Sequence, residues 1–359
     1  MSIRSNSLSA STVFAIAVAT ITSAAAADLP AKAPAVKETP FFILNDNSVS
    51  FTWYPTATNP GVAKDGIAGQ SNSFNKYVAS MTHFDVWAYG SNFINLDILK
   101  SDSNDPIGGT FGPNATGATE LYAFARSTLS GNALSNSKMF SSFLFKDISF
   151  EWGGDINTDN DFFRPQKRDI VLGAEFTLNV PGVVNFAVLA YKEWNHGTPF
   201  EVPGLFSGDR EFQWIPRLEL FISEPLTFLP LPVTWISFTG VNFPKGSGIS
   251  PANLAAIGGT GPGSGPFTGA NFFTANNASA FTKTEVFEDN RLTLDASKLA
   301  WGKAGIWDVY AGYRYWYNKF GTDHNAAVFA HFAPRSDIES TAYVGTTYHF
   351  KYAPFANFD

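Results

Sequence analysis

Several short runs of this sequence put ionisable groups and aromatic rings on alternate residues, so that both share one side of an extended chain. Glu120, Tyr122, Phe124 and Arg126 do so in "TELYAFARS", and Asp85, Trp87 and Tyr89 do so in "FDVWAYG". "EFQWIPRLELF" aligns Arg217, Glu219 and Phe221, and "IWDVYAGYRYWYNKFG" aligns Asp308, Tyr310, Arg314 and Trp316. Glu151, Glu175 and Asp295 take equivalent places in "KDISFEW", "RDIVLGAEFTLN" and "NRLTLDASK". In a strand, residues two apart point the same way. Such a face can stack a flat solute on its rings and hydrogen-bond its polar edge with its charges. The same charges can also pair across neighbouring strands, a purely structural use. Bond-breaking chemistry finds no support. His83, His196, His324, His331 and His349 lack metal-ligand spacing and join no serine motif, and Glu151 and Glu175 have no spacing that marks an acid/base pair. The chain therefore reads as no enzyme, without cofactor or metal.

Each polar face has an apolar reverse. Ile170, Leu172, Ala174, Phe176 and Leu178 back the face of Glu175, and Ile148, Phe150 and Trp152 back that of Glu151. Phe212, Trp214, Pro216, Leu218 and Leu220 back Arg217 and Glu219, while Ala342, Val344, Thr346, Tyr348 and Phe350 oppose Tyr343, Gly345, Thr347 and His349. Period-2 segments of this kind recur from Asn47 to Phe350, with one tight join expected at His83 and a Gly-rich loop over 245–287. Short connections such as "VPG" and "GKAG" alternate with long ones such as "KSDSNDPIGGTFGPNATG". A soluble sandwich has no reason to sort its loops by length, but an outer-membrane barrel does. Trp53, Tyr54, Trp152, Trp194, Trp301, Trp307, Tyr315 and Tyr317 crowd strand ends, where interfacial rings belong. The expected fold is all-β: a transmembrane antiparallel β-barrel of about 12 strands, with short periplasmic turns and longer extracellular loops.

Composition agrees. Charged residues are 15% and aromatics 16% of 359 residues, and the apolar residues are dispersed among small polar ones. Mean hydropathy is accordingly only −0.04. A net charge of −7 argues against nucleic acid as a partner, and with no cysteine the fold has no disulfide to rely on. "MSIRSNSLSASTVFAIAVATITSAAAADLP" has the order of a signal peptide, with Arg4 before an apolar stretch and alanines up to a cleavage point after Ala27. The expected organisation is a signal peptide over 1–27, a Pro-rich leader over 28–46, a barrel over 47–350 and an extension over 351–359.

In collinear order, "HFDVWAYG", "ELYAFARSTLS", "FKDISFEWGGDINTDNDF", "VLGAEFTLNVPG", "AYKEWNHG", "ISFTGVNF", "YRYWYNKFG" and "VGTTYHF" resemble the Tsx-type nucleoside-specific outer-membrane channels and their OmpK-like relatives. The resemblance implies a narrow monomeric barrel in the bacterial outer membrane, contacting lipid and lipopolysaccharide. It also implies passive diffusion of nucleosides through the lumen. Two features depart from the pattern: the residues after Phe350 and the length of the Gly-rich loop. A general or sugar-selective porin, or a barrel serving mainly as a structural surface protein, is the alternative.

Overall fold

The computed structural model describes residues 41–161, 164–196, 210–246, 282–325 and 333–350. In chain order its strands are β1 (Phe42–Ala57), β2 (Phe74–Trp87), β3 (Gly90–Ser101), β4 (Thr119–Ser130), β5 (Phe145–Asp159), β6 (Gln166–Leu178) and β7 (Val183–His196). They continue with β8 (Arg210–Glu211), β9 (Ile215–Pro225), β10 (Val233–Asn242), β11 (Glu285–Asp295), β12 (Trp307–Tyr317) and β13 (Glu339–Phe350). Helices α1 (Gly131–Ser135) and α2 (Ala296–Trp301) each make little more than one turn.

All neighbouring strands are antiparallel, and β1 pairs with β2 on one side and with β13 on the other. β6 joins β7, and β8 is a two-residue stub on β7, so the ring closes with 12 strands. Closure leaves no sheet edge, which is what a sheet bathed in hydrocarbon requires. No helix among the described residues is long and apolar enough to cross a membrane.

The joins at 88–89, 131–144, 179–182, 226–232 and 296–306 lie at one end of the ring, together with Phe42 and Phe350. The joins at 58–73, 102–118, 160–165, 197–214, 243–284 and 318–338 lie at the other. Loop length is sorted as expected, except that 160–165 is brief and that helices lengthen two connections at the short-turn end. Ser130 caps α1 through the Ala133 amide, and the Asp295 carboxylate caps α2 by accepting from the Lys298 amide at 2.8 Å. Asp295 thereby ends a strand that the sequence reading carried on through Ser297.

Side-chain alternation is clean over most of the wall. Leu96, Ile98, Leu121, Ile156, Leu172, Val188, Leu292 and Val344 are exposed on the outside, while Lys76, Arg126, Glu151, Asp155, Arg217 and Glu219 are buried inside. In β12, Tyr313 faces out and Arg314 faces in. Trp53 and Tyr77 are exposed on the outside near the long-loop end, and Trp301 and Trp307 at the short-turn end. Tyr54 is a correction: it points inward and is buried, its ring 4.8 Å from that of Tyr343.

Other boundaries also differ. β1 starts at Phe42, inside the expected leader, and β11 starts at Glu285, inside the expected loop. Phe212 folds in against Lys245 instead of facing out, because β9 begins only at Ile215. The signal peptide, residues 28–40 of the leader, most of the Gly-rich loop (247–281) and the extension at 351–359 lie outside the described residues.

Candidate functional site: the lumen

The twelve inward faces meet in a narrow lumen crossed by side chains. Arg126 on β4 reaches over to Glu219 on β9, which is not its neighbour in the ring. Its Nη2 donates to Glu219 Oε1 at 2.8 Å and its Nε to Oε2 at 3.3 Å. Nη1 donates to Asp155 at 3.0 Å, and Glu151 lies 3.6 Å from Nε. Arg217 donates from Nε to Glu219 at 2.5 Å and from Nη1 to Asn242 at 2.6 Å. Lys167 completes the cluster, 2.9 Å from Asp169.

Rings form a second crossing at the same level. Phe93 contacts Phe124 at 5.7 Å between centroids, and Phe124 on β4 meets Phe238 on β10 at 6.1 Å. The chain of rings continues through Phe287 at 6.1 Å, Trp316 at 5.3 Å and Phe320 at 5.2 Å. The Arg126 guanidinium lies 4.2 Å over the Phe124 ring, so the ionic and aromatic crossings are joined. Between them a cavity of about 140 Å³ is bounded by Tyr122, Phe124, Phe238, Phe287 and Trp316, with Asp97 and Glu120 among its polar lining.

The long-loop mouth is roofed by loop side chains. Lys319 is buried, donating to Glu339 at 2.8 Å and to the Thr58 carbonyl at 2.6 Å. Burial holds its ammonium below the ordinary lysine range, against the opposing pull of Glu339. Lys245 is bonded to Glu193 beside it. Asp105, fully buried, accepts from Asn59 at 3.0 Å, and burial pushes its carboxyl up to about 6. At the short-turn mouth His349 bridges Asp46 at 3.0 Å and Asp308 at 3.1 Å, tying β1, β13 and β12 together.

Most of the expected lining residues are inside. Tyr122, Phe124, Arg126, Glu151, Arg217 and Glu219 meet in the crossing, and Trp316 and Arg314 line the wall above it. Glu175 faces inward toward the short-turn end, where it accepts from Asn185 at 3.0 Å, and Phe221 is on the same face of β9 as Arg217 and Glu219 but is exposed. Tyr310 is inward but committed to the wall through Thr52 at 2.6 Å, and Asp295 is occupied in capping α2.

Three expectations fail. Asp85 and Trp87 stand on the outer face of β2, and Tyr89 is in the turn that follows, exposed. β2 runs straight through His83 to Trp87 with no join, so Asp85 shares the outward face with His83. There Asp85 is satisfied by His83 at 2.9 Å and by Asn92, directly opposite on β3, at 3.0 Å. Phe238, Phe287, Asp155, Lys76 and Lys167 were missed as lining groups. Asp155 could have been found, being four residues beyond Glu151 on the same face; Phe238 could not, because both faces of "VTWISFTGVNF" mix apolar residues with small polar ones and neither carries a charge.

No family model and no curated protein matches the sequence. Among solved structures, the chain is similar to the translocator domain of autotransporter NalP from Neisseria meningitidis, at 12% identity and a TM-score of 0.35, covering 86% of this chain and 89% of that one. The beta domain of the Bordetella autotransporter BrkA gives 10% and 0.32, covering 86% and 99%. Pseudomonas aeruginosa OccK5 (OpdH) gives 7% and 0.27, covering 87% and 99%. The closed ring itself establishes the outer-membrane-type barrel fold.

Proposed function

We propose that the protein is an outer-membrane channel for passive diffusion of small solutes, with nucleosides as the class its lumen suits, in line with the Tsx-type resemblance. The supporting observation is the cavity between rings on facing walls, where Phe124 and Phe238 offer stacking surfaces beside the carboxylates of Asp97 and Glu120. A base would stack on the rings, and the sugar hydroxyls would bond the charged groups. At about 140 Å³ the cavity is smaller than the ~300–1,000 Å³ of ordinary ligand pockets, so passage needs both the Arg126–Glu219 and the Phe124–Phe238 crossings to yield. Weak successive contacts would then suit transport better than one deep site. Lipid and lipopolysaccharide would contact the outer face, and the closed ring needs no second copy to complete its lumen.

The same crossing supports a second reading, a closed barrel acting as a structural surface protein. Single-channel recording in planar bilayers with adenosine, uridine and maltose separates the two. Steps of current reduced by nucleosides and not by maltose are expected. Block by maltose and not by nucleosides would make it a sugar-selective pore, unblocked current a general one, and silence from correctly folded protein a scaffold.

A further inference from the structure

We infer that the lumen conducts small cations, inorganic or ammonium, in preference to anions. This rests on the reading of the barrel as a membrane channel and adds a selectivity that a neutral solute would not require. The inward cations of the strands are Lys76, Arg126, Lys167, Arg217, Arg291 and Arg314. Lys76 is held by Glu120, Arg126 and Arg217 by Glu219, Lys167 by Asp169 and Arg314 by Asp289. Arg291 lies over the Tyr310 ring at 5.0 Å.

After those pairings Asp97, Asp147, Asp159, Glu175, Glu285 and Asp295 stand on inward faces with no ion-pair partner among the described residues. They are spread over the height of the ring, from Asp159 at the long-loop end to Asp147 and Asp295 at the short-turn end. Even the crossing is left acidic, since Arg126 faces Asp155 and Glu151 as well as Glu219. A low-dielectric wall focuses such a field along the lumen, which attracts cations and repels anions at every level.

The protein's own cations show how one is received there. Arg126 sits over Phe124, Arg314 lies 4.6 Å over Tyr54, and Lys319 lies 4.6 Å over Trp316. Rings that accept a guanidinium or an ammonium from the wall can accept one in transit.

The test is the reversal potential of the full chain in planar bilayers under a tenfold KCl gradient. We expect potassium to be favoured over chloride by about fivefold or more, a modest share of the ~10–10³-fold counter-ion enrichment that focused fields can produce. Glu175→Gln combined with Asp97→Asn, which breaks no ion pair, should at least halve that ratio. Acidifying both chambers from about pH 8 to about pH 4 should erode it in unaltered protein as carboxylates take up protons. A reversal potential at zero or of anion sign overturns the inference and leaves a channel. So does a ratio indifferent to both the substitutions and the pH. Silent bilayers with folded protein overturn the inference together with the channel.

Discussion

Arg126 makes one of the two crossings that narrow the lumen, beside the contact of Phe124 with Phe238. Its guanidinium is buried, bonded to walls that face each other, and stacked on Phe124. Arg126→Ala would leave Glu219, Asp155 and Glu151 facing one another, with Arg217 on Glu219 and Lys167 at 3.8 Å from Asp155 as the remaining cations. Removing one partner of a buried ion pair costs about 3–5 kcal/mol. We expect a lower denaturation midpoint in detergent, a larger single-channel conductance and a stronger preference for cations. Unchanged conductance would place the constriction elsewhere. A second residue, Asp105, carries a pH dependence. Burial raises its carboxyl from 3.8 to about 6, so the folded chain keeps a proton that the unfolded chain has lost. The stability it contributes is complete below about pH 4 and is lost as the pH rises through about 6, a shift worth about 3 kcal/mol. Asp105→Asn should therefore flatten the fall in urea midpoint between about pH 4 and about pH 7.

At the scale of elements, the seam between β12 and β13 is locked by rings lying on glycines. The Tyr310 ring covers Gly345 and the Tyr343 ring covers Gly312, so a Cβ at either glycine would come within 2.3 Å of a ring carbon. Gly345→Ala should overpack the seam at a cost of about 1–3 kcal/mol, read as a lower urea midpoint, while Ala342→Gly on the outer face should cost only the about 0.5–1 kcal/mol of a glycine in a strand. Strand identity was readable here because "ESTAYVGTTYHF" alternates without interruption and matches β13 end to end. It was less readable in "KYVASMTHFDVWAYG", which has no Gly, Pro or Asn to mark a turn before Gly90. A join at His83 restarts the alternation, and a shift of one residue sends every later side chain to the opposite face. That is why Asp85 and Trp87 were expected inside and stand outside.

At the scale of the whole molecule, the ring divides two solvents, and a charge tests which side is which. Leu96→Arg, at mid-height on the outside, should cost about 2–4 kcal/mol of stability in lipid, as midplane charges on barrels do. Inward Asn157→Arg should cost less, meeting Glu120 and Asp159 instead of hydrocarbon. The assay is urea unfolding in vesicles, and equal losses would remove the assignment of faces. The sequence alone determined the all-β class, the number of strands and most of the inward residues, because two-residue alternation is a local property of extended chain. Only the tertiary structure decided what those residues do. Arg126 and Glu219 are far apart in sequence, as are Phe124 and Phe238, and they meet only because closing the ring brings opposite walls within reach.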